Sequence, residues 1–189
     1  MKTLPCTLAI VVACIGALAS CAPKPPAPTR MPVSASIRPD APLSTRLYHE
    51  VNAYRSSRGA SALQRHAGLD RLAQQHCEYL RQHRGTFSLQ GKNVSHFGFD
   101  GRALYAREAY HMQNISENVA ASSKTSGSTT QRLIELWKNS HDHHKNMTDK
   151  WTHTGVGVVV DSDGMVFATQ LFSTVSMSQM DMRERLTQF

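Results

Sequence analysis

Two stretches in the first half of the sequence carry apolar residues at helical spacing. The first, residues 43–60, contains Ser44 where an N-cap is expected and Gly59 where a helix would stop. Its apolar face is formed by Leu47, Val51 and Tyr54. The second stretch, residues 68–85, has a wider apolar face, formed by Leu69, Leu72, Ala73, His76 and Leu80. Both stretches are predicted to be helices, and His76 is interpreted as a core residue rather than a ligand.

The middle of the sequence is less regular. Residues 95–110 are glycine-rich in their first part and then follow a helical pattern. Residues 115–130 end in a polar, low-complexity loop. A further helix is predicted after an N-cap at Ser128 or Thr129. Its buried side is formed by three large apolar residues, Leu133, Leu136 and Trp137.

Towards the end of the sequence, the pattern changes to that of β-strands. Residues 154–160 and 165–173 are rich in β-branched and aromatic residues, and an Asp-Ser-Asp-Gly turn joins them. This pattern is typical of an antiparallel hairpin. Helices followed by strands, without regular βαβ alternation, favour an α+β fold over a doubly wound sheet.

The N-terminus has the pattern of an export signal. Its apolar run, Leu8 to Leu18, is short for a membrane span and matches the core of a signal peptide. The sequence LASC that ends at Cys21 resembles the lipobox of bacterial lipoproteins, in which the cysteine is acylated and becomes the first residue. Residues 1–20 are therefore predicted to be a cleaved signal peptide and Cys21 a lipid anchor to a membrane. An ordinary secretory signal is the alternative.

The residues after the anchor differ in composition from the rest of the chain. Residues 21–42 contain seven of the eight prolines and almost no large apolar side chains. They are predicted to be an extended tether between the membrane and the domain. The folded domain is expected over residues 43–175, with a C-terminal tail over residues 176–189. This organisation indicates a bacterial envelope protein that faces the periplasm or the exterior.

Cysteine and charge further restrict the class of protein. Once Cys21 is acylated and the signal is removed, Cys77 is the only thiol, so the domain is expected to fold as a monomer without a disulfide. A buried, unreactive thiol is the favoured interpretation of Cys77. The formal charge is +7, but the basic residues are dispersed and lack the interleaved aromatic residues of a single-strand binder. We therefore expect no nucleic-acid partner.

Three histidines lie close together at His141, His143 and His144. In a helix, the first two would point about 200° apart and could not share an ion. In a loop they could converge, so a local metal site stays an open but weak hypothesis. The alternative is that one of them belongs to a site completed by distant residues.

Several phrases of the sequence, in order, resemble the CAP superfamily of cysteine-rich secretory proteins, antigen 5 and pathogenesis-related 1 proteins, whose domain is also called SCP. They are LYHEVNAYRSSRGASAL, LDRLAQQHCEYL, SHFGFDGR, SENVA, LWKNSHDHHKNM and TGVGVVVDSDGMVFATQLF. The resemblance runs from about Leu43 to Ser173. It implies an α-β-α sandwich with a central antiparallel sheet, which agrees with the α+β prediction.

The resemblance also implies a groove with two His and one or two Glu, often with a divalent metal. His96 is similar to the first His of the family, Glu117 to the Glu, and His143 to the second His, with His144 as the alternative. The sequence departs from the family at two positions. Ser116 replaces the usual Gly before the Glu, and Ser140 stands where eukaryotic members carry a second Glu.

Two imidazoles and one carboxylate suit Zn²⁺ or a similar ion and leave one coordination position open. The leading hypothesis is that the groove binds a lipid, a cell-wall fragment or a protein. The alternatives are a hydrolase that uses a metal-bound water at His96, Glu117 and His143, and a non-catalytic scaffold whose polar cluster is structural. The sequence contains no recognisable hydrolase motif, so it offers no positive evidence for catalysis.

Overall fold

The computed structural model describes residues 41–86, 95–123 and 128–175. They all belong to one compact unit, Ser36–Phe189. The predicted signal peptide, Cys21, nearly all of the predicted tether and the C-terminal tail lie outside the described residues. Within the described residues, no helix has the length and apolar character needed to cross a membrane.

The described chain contains five helices and four strands. The helices are α1 (Ala41–Ser57), α2 (Ala67–Gln82), α3 (Phe99–Tyr110), α4 (Thr129–Lys138) and α5 (His141–Thr148). The strands are β1 (Gln64–Arg65), β2 (Met112–Ser122), β3 (His153–Val160) and β4 (Val166–Val175).

The strands form one sheet in the order β1-β3-β4-β2. The three long strands are antiparallel, whereas the two-residue β1 pairs in parallel with β3. The α+β prediction is therefore confirmed, with the difference that β1 makes the sheet mixed. The predicted hairpin is confirmed as β3 and β4. In its turn, Gly164 adopts a φ of 84°, a conformation that favours glycine.

Successive side chains of a strand point to opposite faces of the sheet, and both faces of this sheet carry apolar side chains. On one face, Val156, Val158 and Phe172 pack with α1, α4 and α5 in a cluster that includes the fully buried Trp137. On the other face, Phe167 and Leu171 pack against α2, and Leu171 belongs to a cluster that includes α3 residues. The sheet is thus the middle layer of an α-β-α sandwich.

Helix α2 approaches β3 closely because two glycines face it. A Cβ at Gly155 or Gly157 would overlap with the α2 backbone. Two α2 side chains also accept hydrogen bonds from β3 amides: Asp70 Oδ1 from Val156 at 2.7 Å and Gln74 Oε1 from Val158 at 3.1 Å. These bonds satisfy amide groups beyond the short β1 strand that would otherwise be unpaired.

Two local features differ from the sequence-based expectations. Ser44 does not cap α1, because the helix includes residues 41 and 42 of the predicted tether, and the Ser44 hydroxyl accepts a hydrogen bond from Arg65 at 3.2 Å. Strand β2 was not predicted. Of the two cases considered for the three clustered histidines, the structure has the helical one: residues 141–148 form the helix α5.

Candidate functional site

The site is built around Glu117, a buried carboxylate in the edge strand β2. Its side chain is 1% exposed and receives two hydrogen bonds from Arg102 of α3. Arg102 Nε donates to Oε2 and Arg102 Nη2 donates to Oε1, each at 2.8 Å. This is the fork-shaped pairing in which a guanidinium binds both oxygens of one carboxylate.

His96 provides the third hydrogen bond to Glu117. Its Nδ1 lies 2.9 Å from Glu117 Oε1. Because an ionised carboxylate only accepts, His96 Nδ1 must carry the hydrogen, and in a neutral imidazole Nε2 then keeps a free lone pair. The His96 side chain is 47% exposed, so this second nitrogen can be reached from outside.

The pKa of Glu117 reflects these contacts. Burial alone would raise the pKa of the carboxyl, but the hydrogen bonds from His96 and Arg102, together with the Arg102 charge, outweigh burial and lower it. Glu117 is therefore ionised at neutral pH and forms a buried ion pair with Arg102.

His143 of α5 faces His96, with the two ring centroids 6.1 Å apart. Burial and the nearby His96 lower the pKa of His143. Its imidazole is therefore neutral at neutral pH. His144 points elsewhere, because its Nε2 lies 2.9 Å from the Tyr54 hydroxyl of α1. His141 is 91% exposed and contacts Asp142. The four residues His96, Arg102, Glu117 and His143 are called the Glu117 cluster below.

The residue after Glu117 positions the helix that carries His143. Asn118 is fully buried, and its Nδ2 donates to the carbonyl of His143 at 2.9 Å. Asn146 donates to Asn118 Oδ1 at 2.9 Å, and Trp151 Nε1 donates to the carbonyl of Asn146 at 2.8 Å. This chain of amides fixes α5 against the edge of the sheet beside Glu117.

His76 lies behind the Glu117 cluster. Its Nε2 is 2.8 Å from the carbonyl of Ser95 and 4.0 Å from Glu117 Oε1. Burial lowers the pKa of His76 to about 4, with Arg102 adding to the effect and Glu117 opposing it. The neutral ring thus donates from Nε2 to Ser95 and holds the loop that carries His96. Among the described residues, no group hydrogen-bonds to His76 Nδ1.

Phe97 forms an exposed aromatic surface beside His96. Its ring is 65% exposed and stacks on Tyr79, with centroids 5.1 Å apart and an interplanar angle of 13°. Tyr79 stacks in turn on His83 at 4.1 Å. The backbone of Phe97 is also held, since its amide donates to Ser95 Oγ at 3.0 Å and its carbonyl accepts from Arg102 at 2.9 Å. The ring is therefore presented rigidly at the edge of the site.

The donor set does not fit a resident metal ion well. Three hydrogen-bond donors already occupy Glu117, which leaves the two imidazoles of His96 and His143, fewer than the three protein ligands of a typical catalytic zinc site. In residues 41–86, 95–123 and 128–175, no group of three or more His, Cys, Asp or Glu side chains is arranged to hold an ion. The zinc site that the family resemblance implied at His96, Glu117 and His143 is thus untested, and the contacts of Glu117 argue against it.

The described residues also lack an activated nucleophile at the two imidazoles. No hydroxyl of that part of the chain hydrogen-bonds to the side chain of His96 or His143, and Ser95 Oγ accepts the Phe97 amide. Cys77 is fully buried, and burial raises the pKa of its thiol to about 12. The cysteine therefore has the structural role that the sequence indicated.

Sequence reasoning missed Arg102, although it lies in the SHFGFDGR phrase. The available signal was its position in α3, where Arg102, Ala103 and Ala106 form the buried side. An arginine on a buried helix face requires a buried acceptor, usually a carboxylate. Asn118 was missed because a polar residue in an unpredicted strand gave no reason to look for a partner.

A separate cavity of about 460 Å³ lies at the turn between β3 and β4. Its lining includes Leu43, Asp161 and Asp163, and it shares no residue with the Glu117 cluster. The two aspartates bind Arg84, at 2.6 and 2.7 Å. This cavity therefore does not mark the site that the histidines define.

The fold and the site define a CAP-type domain, and sequence comparison supports this class directly. The family model for the cysteine-rich secretory protein family matches residues 48–172. The chain therefore belongs to the cysteine-rich secretory protein, or CAP, family. Comparison with curated proteins gives no significant match.

Solved structures give the same fold at low sequence identity. An outer surface protein from Borrelia burgdorferi is similar with a TM-score of 0.56 and 18% identity, covering 71% of this chain and 94% of that one. A cysteine-rich secretory protein from Staphylococcus aureus gives 0.52 and 17%, covering 70% and 39%. An extracellular SCP-domain protein from Bacillus anthracis gives 0.51 and 22%, covering 75% and 45%. The chain thus spans less than half the length of the latter two proteins.

Proposed function

We propose that this chain is a lipid-anchored protein of the bacterial cell envelope whose CAP domain binds a ligand at the Glu117 cluster. The ligand classes that suit such a protein are a lipid, a cell-wall fragment or another protein. The family shown by residues 48–172 and the bacterial surface and extracellular proteins of similar fold support the extracytoplasmic part of the proposal.

The observation that carries the proposal is the pairing of His96 with His143 above a buried ion pair. The rings lie 6.1 Å apart, and His96 is oriented from beneath by Glu117. An exposed imidazole whose rotation is fixed by a buried carboxylate is preorganised to hydrogen-bond a ligand, because little conformational entropy is lost on binding. The rigid ring of Phe97 adds an apolar contact at the same edge.

The anchor is tested by replacing the acylated residue. A Cys21→Ser variant should take up no radioactive fatty acid and should leave the membrane fraction. The parent chain should be labelled and should sediment with membranes. Labelling of Cys21→Ser at the parent level, with continued sedimentation with membranes, would show that Cys21 is not the anchor.

The ligand is tested by photo-crosslinking in living cells. The light-activated residue p-benzoylphenylalanine replaces Phe97, which is exposed beside His96, and illumination joins it to whatever occupies the site. Mass spectrometry of the purified chain then distinguishes acyl, sugar and peptide adducts. The proposal predicts one dominant adduct class.

The matched control places the same photo-reactive residue at Val160, which is 40% exposed at the end of β3. We expect the adduct only from position 97, and we expect it to decrease when His96→Ala or His143→Ala is added. Equal labelling from both positions, or labelling from position 97 that does not depend on either histidine, would contradict the proposal.

A further inference from the structure

We propose that Arg102 takes the place of a metal ion in the Glu117 cluster, so that the site works without a divalent cation. The inference concerns the same residues as the proposed ligand site but does not depend on the identity of the ligand. It makes Arg102 the residue that determines whether the site admits a cation.

The hydrogen bonds of the Glu117 carboxylate leave little room for an ion. Arg102 binds both oxygens of Glu117 at 2.8 Å, and His96 adds a bond to Oε1 at 2.9 Å. Oε1 thus accepts two N–H groups and Oε2 one. The one acceptor site left on the carboxylate is on Oε2, and an ion bound there would lie beside the positively charged guanidinium.

The charge balance of the buried Glu117–Arg102 pair also disfavours a cation. Glu117 and Arg102 side chains are 1% and 9% exposed, so water screens their interaction poorly. The pair is neutral as it stands. Adding a divalent ion would place two positive charges beside a fixed guanidinium whose ion pair, among the described residues, is with Glu117 alone.

Arg102 performs the structural task of a metal ion. A coordinated ion joins the elements that supply its ligands, and Arg102 joins the β2 carboxylate to the loop that carries His96. Its Nη1 donates to the carbonyl of Phe97 at 2.9 Å. Gly98, with a φ of 74°, turns that loop into α3 and lies close to Arg102.

Few ligands for an ion remain in the Glu117 cluster. With Glu117 engaged, His96 and His143 are the two imidazoles left in the cluster, and two ligands give weak binding of Zn²⁺. His144 is not available as a third ligand in this arrangement, because it bonds to Tyr54.

The test begins with the unmodified protein. The full mature chain, purified in detergent and stripped with a chelator, is melted with and without Zn²⁺ at pH 7.5. We expect a change in Tm below about 1 °C, since weak binding stabilises little at moderate ion concentration. A rise of several degrees that disappears in Glu117→Gln would overturn the inference.

The second experiment releases Glu117. Calorimetric titration of Zn²⁺ into Arg102→Gln should give affinity at least about tenfold above the parent, because the carboxylate becomes a third ligand. The gain should vanish in Arg102→Gln combined with Glu117→Gln. Arg102→Lys should resemble the parent, because the positive charge remains.

Arg107→Gln is the matched control, since Arg107 is an exposed arginine of the same helix. It should leave both Tm and zinc affinity unchanged. If Arg102→Gln folds and gains no affinity, Arg102 is not what keeps the ion out, and the inference fails. If that variant does not fold, the melting experiment on the parent still decides the matter. Photo-crosslinking at position 97 reports on the ligand separately, so failure of one experiment does not imply failure of the other.

Discussion

Asn118 Nδ2 donates a hydrogen bond to the main-chain carbonyl of His143 at 2.9 Å. This bond connects the edge strand β2 to α5. Adjacent strand residues point to opposite faces, so Glu117 meets α3 while Asn118 meets α5. Two consecutive residues therefore bring His96 and His143 together from the two sides of the sheet.

Asn118→Ala should destabilise the domain by about 1 to 3 kcal/mol, because the His143 carbonyl and the Asn146 amide lose a buried partner. Urea unfolding monitored by tryptophan fluorescence measures this loss. Gln113→Ala, at an exposed position of the same strand, should change stability by less than about 0.5 kcal/mol. Similar values for the two variants would show that Asn118 does not hold α5.

Arg55 holds the other end of α5. This side chain is 1% exposed, and Nη1 donates to the carbonyls of Met147 at 2.7 Å and Asp149 at 3.0 Å. Arg55→Met should cost about 3 kcal/mol in the free energy of unfolding, because carbonyls at a helix C-terminus lose a charged donor. Chemical denaturation again provides the measurement.

Arg58→Met is the control for that change, since the Arg58 side chain lies over the Tyr54 ring at the surface, 5.3 Å from its centroid. Its loss should cost no more than about 1 kcal/mol. If Arg55→Met lowered the free energy of unfolding as little as Arg58→Met, water would have to satisfy the carbonyls of α5. The hydrogen bonds from Arg55 would then not be needed to hold the helix.

Stability should fall in acid because of His76. Burial lowers the pKa of His76 to about 4, whereas free histidine titrates near 6.5. Between these values the unfolded chain binds a proton that folded His76 excludes, so stability decreases as pH falls from about 6.5 to about 4. The shift corresponds to about 3 kcal/mol. At lower pH, protonation of Glu117, whose pKa is lowered in the fold, removes further stability.

His76→Gln isolates this effect, because glutamine can donate to the Ser95 carbonyl but does not titrate. Plots of unfolding free energy against pH should be flatter between pH 6.5 and 4 for His76→Gln than for the parent. His141→Gln, at a position 91% exposed, should leave the parental slope unchanged. A parental slope in His76→Gln would assign the acid sensitivity to other groups.

The elements that sequence patterns predicted well are those whose side chains serve only the core. Leu47 and Val51 in α1, and Val156 and Val158 in β3, are all fully buried and follow their expected periods. The β2 strand was not recognised because most residues of its first half are polar. One of these polar residues, Glu117 at the middle of the strand, belongs to the site. Gln113 and Ile115 flank a register shift, which also disrupts the alternation.

The candidate site was only partly accessible from sequence. His96, Glu117 and His143 came from family resemblance, since residues 21 positions apart, such as His96 and Glu117, give no local signal of contact. Arg102 could have been recognised only from its place on the buried side of α3, and Asn118 gave no signal in the sequence. Their importance comes from partners that only the folded chain brings near.

Glu117 accepts a hydrogen bond from His96 Nδ1, and this leaves Nε2 of the half-exposed His96 ring free to meet a ligand. Long-range proton–nitrogen NMR of the full chain, labelled with nitrogen-15 in histidine, reports the tautomer of each imidazole directly. His96→Gln identifies the His96 signals. At pH 8 we expect a protonated Nδ1 and an unprotonated Nε2 for His96. A His96 ring protonated at Nε2 instead would contradict it, because the carboxylate could not then be its partner.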